Sequence, residues 1–148
     1  MNRALLNILW PVLLLAIVGS AAGMPRETIV IDTQKGRHRF QVEIAKDAAS
    51  QERGLMYRRH MATDAGMIFP FAKPEMVIFW MKNTYLPLDL LFVRGDGTIS
   101  SIAENAVPMS TKPIPSGEPI SAVIEVNAGR ARALGIAPGE RVHAREFP

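Results

Sequence analysis

The chain has 148 residues, no cysteine, 17 Lys and Arg against 14 Asp and Glu, and a formal charge of +3. That length suits one domain with a self-sufficient core, and the missing cysteines exclude a disulfide framework, a thiol nucleophile and thiolate metal sites. So small a charge gives no argument for a nucleic-acid or membrane-surface partner.

The first stretch is a targeting segment. Met1-Asn2-Arg3 gives a short positive start, Ala4 to Val18 is almost wholly apolar, and Gly19-Ser20-Ala21-Ala22 supplies the small residues of a cleavage site. Residues 1–22 are expected to be a signal peptide cut after Ala22. The alternative is an uncleaved anchor, for which about 15 apolar residues are few against the roughly 20 that span a bilayer. No cysteine follows, so a lipoprotein is excluded. Cleavage leaves 126 of 148 residues and lowers the formal charge from +3 to +2, since only Arg3 is lost. Residues 23–27 are a short linker and 28–148 a single domain, expected in the periplasm or outside the cell.

Thr28 to Thr33 is β-branched and predicts a strand. Gln34-Lys35-Gly36 turns the chain. Arg37 to Ile44 then alternates, with His38, Phe40, Val42 and Ile44 on one face, as a half-buried hairpin strand does. Asp47 is placed to cap a short helix through Arg53, with Gly54 as its stop. Leu55 and Met56 enter the core, and a polar basic stretch from Tyr57 to His60 follows. Met67-Ile68-Phe69 is a short buried strand, and Pro70 to Pro74 a loop. Met76-Val77-Ile78-Phe79-Trp80-Met81 is the most apolar run after the targeting segment and is expected to be a central strand.

Leu88 to Val93 is another strand, and Arg94-Gly95-Asp96-Gly97 a hairpin turn leading into a strand from Thr98 to Ala103. From Glu104 to Pro119, prolines 108, 113, 115 and 119 predict a long surface loop of the kind that serves as a lid. Ala122 to Val126 is a strand, Ala128 to Leu134 a helix stopped by Gly135, and Arg141 to Ala144 a last strand. The fold class is α+β, β-dominated: about seven short strands in a barrel-like or strongly curved sheet, with two short helices.

Arg53-Gly54-Leu55-Met56, Gly66-Met67-Ile68-Phe69, Phe79-Trp80-Met81-Lys82-Asn83-Thr84 and Pro87-Leu88-Asp89 together resemble the signature of the family called domain of unknown function 192. Val123-Ile124-Glu125-Val126 with Ala128-Gly129, and Gly135-Ile136 leading to Gly139, resemble its later segment. The resemblance runs from Thr28 to His143. It implies a compact β-rich single domain and frequent export, and it implies no activity.

The residues that can carry chemistry gather near the end of the apolar run. In an extended chain Phe79, Met81 and Asn83 point one way, and Trp80, Lys82 and Thr84 the other. Lys82, Asn83 and Asp89 can grip a carboxylate, phosphate or hydroxyl. Equally, Lys82 and Asp89 can pair to close the connection around Pro87 while Asn83 ties down the turn. Trp80 is either a stacking platform or core. Arg53 and Arg58 can bind an anion or bond free carbonyls past Gly54. Glu125, in an apolar strand, faces solvent or pairs inward with a cation.

The three histidines have no ligand spacing, so no metal and no cofactor is expected, and the methionines read as core filler. The expected function is a non-catalytic periplasmic module that binds a small polar or anionic ligand, or an envelope partner, in a cleft lined by Arg53, Trp80, Lys82, Asn83, Asp89 and Glu125. The loop from 104 to 119 would cover it. The alternative is an envelope hydrolase or lyase acting on carbohydrate or peptide, with Asp89 or Glu125 as acid/base and Lys82 as electrostatic stabiliser. It would require the two carboxylates to converge on one cleft.

Overall fold

The computed structural model describes residues 23–147. The expected signal segment, residues 1–22, lies outside the described residues. Nine strands and two helices follow in the order β1 (Arg26–Thr33), β2 (Gly36–Ile44), α1 (Ala48–Arg53), β3 (Ala65–Glu75), β4 (Ile78–Phe79), β5 (Leu88–Val93), β6 (Ile99–Ala106), β7 (Ile114–Pro115), β8 (Ile120–Asn127), α2 (Arg130–Leu134) and β9 (Arg141–His143). Seven strands form one sheet in the order β6-β5-β8-β3-β2-β1-β9, and β4 pairs with β7 apart from it. Every pair in the large sheet is antiparallel except β2 with β3, whose connection carries α1.

The large sheet curls into a half-barrel whose two edges meet at one end. Ile99 N donates to Glu140 O at 2.9 Å, Gly139 N to Ile99 O at 2.8 Å, and Val142 N to Gly97 O at 2.8 Å. Gly97 is required there. Its φ is +85°, and an added Cβ would stand 2.7 Å from Val142 O.

Curling gives the sheet two different faces, and side-chain alternation sorts residues between them. The inner face takes residues from all seven strands, among them Ile29, Phe40, Val42, Ile68, Leu91, Ile99, Ile124 and Val142. The outer face is covered mainly over β3, β5 and β8, where Met67, Phe69, Leu88, Leu90, Phe92 and Val123 pack under Leu55, Met81 and Leu86. β5 is therefore buried along its whole length. Full burial of a Leu or Phe contributes about 1.5–3 kcal/mol, so the centre of the sheet is the most stable part of the chain.

Local chemistry sets the boundaries much as expected. Asp47 caps α1, its carboxylate accepting from Ser50 N at 2.9 Å, and Gly54 N closes the helix on Ser50 O. Gly135 stops α2 in the left-handed region. Asp96 Oδ1 accepts from Thr98 N at 2.9 Å in the turn between β5 and β6.

Three expectations need correction. Pro70 to Pro74 is not a loop, because β3 runs through it to Glu75. Its last pair with β2 is Ile44 with Ile68, so at Pro70 one flank of β3 is an open edge, where a proline costs no ladder bond. Residues 104–119 are not structureless either: β6 extends to Ala106, and Ile114–Pro115 form β7.

The largest correction concerns Met76 to Met81. Only Ile78 and Phe79 are in a strand, and that strand belongs to the small sheet. The central positions are taken by β3, β5 and β8, so this run lies over the outer face as a flap. Val77, Phe79 and Met81 turn inward to the outer core. Met76, Ile78 and Trp80 are left 66%, 72% and 49% exposed. Hydrophobicity alone does not decide which apolar segment wins the centre of a sheet.

Candidate functional site

Between the flap and the end of α1 the outer face of the sheet is open, and a cleft of about 800 Å³ results. Arg53, Gly54, Leu55, Met56 and Tyr57 form one wall. Val77, Ile78, Phe79, Trp80, Lys82 and Asn83 form the other, and Phe69, Phe71 and Glu125 come from the sheet beneath. Aromatic packing holds the apolar part. Phe79 stands edge-on to Phe69 with ring centroids 5.2 Å apart, and to Phe92 at 6.5 Å.

A backbone bond fixes the two walls to each other: Tyr57 N donates to Asn83 O at 2.9 Å. Within the second wall, Thr84 N donates to Met81 O at 3.1 Å. Both Tyr57 and Asn83 have positive φ, +64° and +55°, a conformation Asn tolerates better than most residues. Asn83 joins the walls through its backbone carbonyl, while its side-chain amide donates to Met56 Sδ at 4.0 Å. The flap is braced from behind by the 107–116 segment: Met81 N donates to Ser110 O at 2.9 Å, and Met109 N to Thr84 O at 3.0 Å. That segment does not line the cleft. The lid expected from residues 104–119 is instead a support.

Glu125 is the unusual residue. It projects from β8 on the same face as Val123, paired across the sheet with Met67 on β3 and Leu90 on β5. It is 5% exposed and lines the cleft. Among the described residues no hydrogen bond or charged partner acts on its carboxyl, and burial is the one influence on it. Neither a solvent-facing Glu125 nor an inward pairing with a cation is what the structure holds. Burial without a partner disfavours the charged form and pushes its carboxyl up to about 8. At neutral pH this favours the neutral acid, which can donate a hydrogen bond where an ordinary glutamate offers only acceptors.

The cations stand at the mouth. Lys82 Nζ lies 5.1 Å from the Trp80 ring centroid, which sets the ammonium over the indole face. This agrees with the alternation that puts residues 80 and 82 on one side. Arg53 ends α1 and is exposed. Glu52 and Glu75 also line the rim, so the mouth carries both signs of charge.

Five of the six expected ligand-binding residues, Arg53, Trp80, Lys82, Asn83 and Glu125, line this one cleft; Asp89 does not. It lies opposite Val126, on the inner face of the sheet, with no exposure. Its Oδ1 accepts from Asn105 N at 2.9 Å and its Oδ2 from Ala131 N at 3.0 Å. Ala131 is in the first turn of α2, whose own N-cap is Gly129 with no side chain to offer. Asp89 therefore caps α2 from another strand. The expected pair of Lys82 with Asp89 is absent.

The enzyme reading based on Asp89 and Glu125 fails with it, because the two carboxylates face opposite sides of the sheet. Arg58, weighed as an anion ligand, is spoken for by Glu43. Burial opposes ionisation of Glu43, but its hydrogen bonds to Arg58 and Arg26 hold it below the usual carboxylate range. Sequence reasoning also missed the apolar lining from Leu55, Phe69, Phe71 and Phe79. The one available signal was the helix stop at Gly54 next to Leu55.

The sequence matches the DUF192 family, described as an uncharacterized ACR, over residues 29–144. Among solved structures, a protein from Sinorhizobium meliloti 1021 described as a candidate transcription regulator is 48% identical, with a TM-score of 0.82 over 84% of this chain and 98% of that one. A protein of unknown function from Novosphingobium aromaticivorans is 41% identical, with a TM-score of 0.81 over 84% of this chain and 89% of that one. No curated protein matches the chain.

Proposed function

The chain belongs to the DUF192 family, and from that premise we propose that it is an exported binding module whose ligand occupies the cleft between α1 and the flap. The single observation that carries this reading is Glu125. A carboxyl 5% exposed and without a partner costs stability and does nothing for packing, whereas a ligand acceptor brought to it would satisfy it. Apolar and aromatic side chains on three sides favour a ligand with an apolar body. Glu125 donates to a carbonyl or other oxygen deep in the cleft, and Arg53 and Lys82 hold a polar or anionic group at the mouth. Cleavage after Ala22 would release the domain beyond the inner membrane, where its lack of cysteine is no handicap. The regulatory role given to the Sinorhizobium relative would need a basic face for phosphates, and this cleft has a mixed rim.

A thermal-shift screen of residues 23–148 tests the reading with organic acids, sugars, peptidoglycan fragments and peptides. The fragment holds every strand and helix of the described residues. A ligand of the folded state raises the Tm by mass action, about 2.7 kcal/mol at a hundredfold excess over Kd. The expected result is a shift that weakens at least tenfold in affinity in Glu125→Leu, which removes the donor, and falls further in Lys82→Ala. Hits with unchanged affinity in both variants would place the ligand elsewhere.

A further inference from the structure

The flap presents an unpaired strand edge to the cleft. In the β4–β7 pair Ile78 stands opposite Pro115 and Phe79 opposite Ile114. Ser116 N donates to Val77 O at 2.9 Å, and Met81 N to Ser110 O at 2.9 Å. An antiparallel ladder exchanges bonds at every second residue, so Val77, Phe79 and Met81 turn their backbone groups toward the 110–116 segment. Pro115, with no N–H to give, fits a pair that exchanges none. The backbone N–H and C=O of Ile78 and Trp80 accordingly point to the opposite edge. Trp80 exchanges no backbone hydrogen bond with any described residue.

Bare edges of this kind are normally covered, charged or interrupted. This one has charges only at its ends, Glu75 and Lys82, with Met76, Ile78 and Trp80 between them largely exposed. Ile78 and Trp80 also line the cleft. An apolar groove beside a free ladder edge has the two components of strand addition: main-chain bonds for affinity and a side-chain pocket for selectivity.

Resting on the cleft being the binding site, we propose that its ligand is an extended peptide segment that adds as a strand to the Ile78–Trp80 edge. Alternate peptide side chains enter the cleft and lie outside it. The entering one is an amide-bearing side chain, Asn or Gln, whose carbonyl oxygen accepts from Glu125 while its stem packs on Phe69 and Phe79. The outward neighbour lies over Ile78 and Trp80.

The test uses residues 23–148, in which Trp80 is the only tryptophan, so its fluorescence reports directly on the edge. A pool of capped octapeptides with randomised side chains is selected for binding. Recovered sequences are then resynthesised with single backbone N-methyl groups at each position. The expected result is enrichment of Asn or Gln at one position and loss of binding by tenfold or more on methylation at alternate residues only. Ile78→Pro, which deletes an outward N–H and no bond to β7, is expected to lose tenfold or more in affinity with its Tm within a few degrees of wild type. Peptide binding indifferent to N-methylation and to Ile78→Pro would overturn strand addition and leave the cleft reading intact. Small acids or sugars that bind through Glu125 while no octapeptide does would overturn this inference alone. Absence of binding by peptides and small molecules alike would overturn both.

Discussion

A carboxyl set between Met67 and Leu90 loses the water that ordinarily stabilises its charge, and Glu125 shows the consequence. In the unfolded chain it releases its proton in the usual glutamate range. In the folded chain it holds the proton up to about pH 8. Between those values the folded state binds more protons than the unfolded one, so stability falls as pH rises, by up to about 1.4 kcal/mol per pH unit for one such group. The contribution is complete below the unfolded pKa and lost on passing about 8. Urea titrations at pH 5 to 9 should show wild type weakening across this window, with Glu125→Gln flatter and more stable at the alkaline end. Parallel curves for the two proteins would mean that Glu125 is not the titrating group. Asp89 differs in its partners, since two backbone N–H groups donate to its side-chain oxygens in the interior. Asp89→Ala leaves both donors unpaired in the interior and should cost about 3 kcal/mol in urea unfolding. Asp89→Asn, which keeps one acceptor, should cost less. A loss below 1 kcal/mol would be inconsistent with Asp89 capping α2.

Among the elements, α1 and the flap matter most, because each is short and each forms a wall of the cleft. Six residues make a marginal helix, so its cap carries much of its order. Asp47→Ala should cost about 1 kcal/mol and loosen Arg53 and Leu55 at the cleft edge. The check is a Tm change alongside weakened capture of whatever ligand the screen finds. The flap is held by a few bonds to the 107–116 segment and by the inward packing of Val77, Phe79 and Met81. Amide exchange should therefore be fast at Ile78 and Trp80 and slowest in β5 and β8. Equal protection across these segments would contradict the flap's marginal attachment. β3 shows how closely the central strands approach. A Cβ added at Gly66 would lie 2.5 Å from Glu125 O. Gly66→Ala should cost several times the usual ~1 kcal/mol of a point mutation, and it would push β8 and Glu125 out of place.

At the scale of the whole molecule, the arrangement follows from a sheet that must bury both faces. Closing the sheet on itself seals the inner face, and α2 packs at its end through Ala131. The outer face is only partly covered, by Leu55, the flap and Leu86, and the gap in that cover is the cleft. Alternation over Arg37 to Ile44, the Asp47 cap, the Gly54 and Gly135 stops and the Asp96-Gly97 turn were all legible in the sequence, because each is decided within a few residues of chain. Five of the residues singled out, Arg53, Trp80, Lys82, Asn83 and Glu125, line one cleft. Asp89 was placed wrongly for a reason of register. A one-residue step along β5 moves a side chain to the other face of the sheet, and only the pairing with β8 shows which face that is.

The sequence by itself determined the family, the β-dominated class, most element boundaries and the stretch around Trp80 to Thr84 as the place to look. These are properties of local pattern and short-range chemistry. Only the tertiary structure decided that the most apolar stretch of residues 23–148 is an exposed flap and not a central strand. It also decided that Asp89 is a cap, that residues 107–116 are a brace and not a lid, and that Glu125 sits unpartnered at the cleft. Each of these depends on what lies opposite a residue across the sheet, and strand order and register are settled by competition among distant segments for the same buried face.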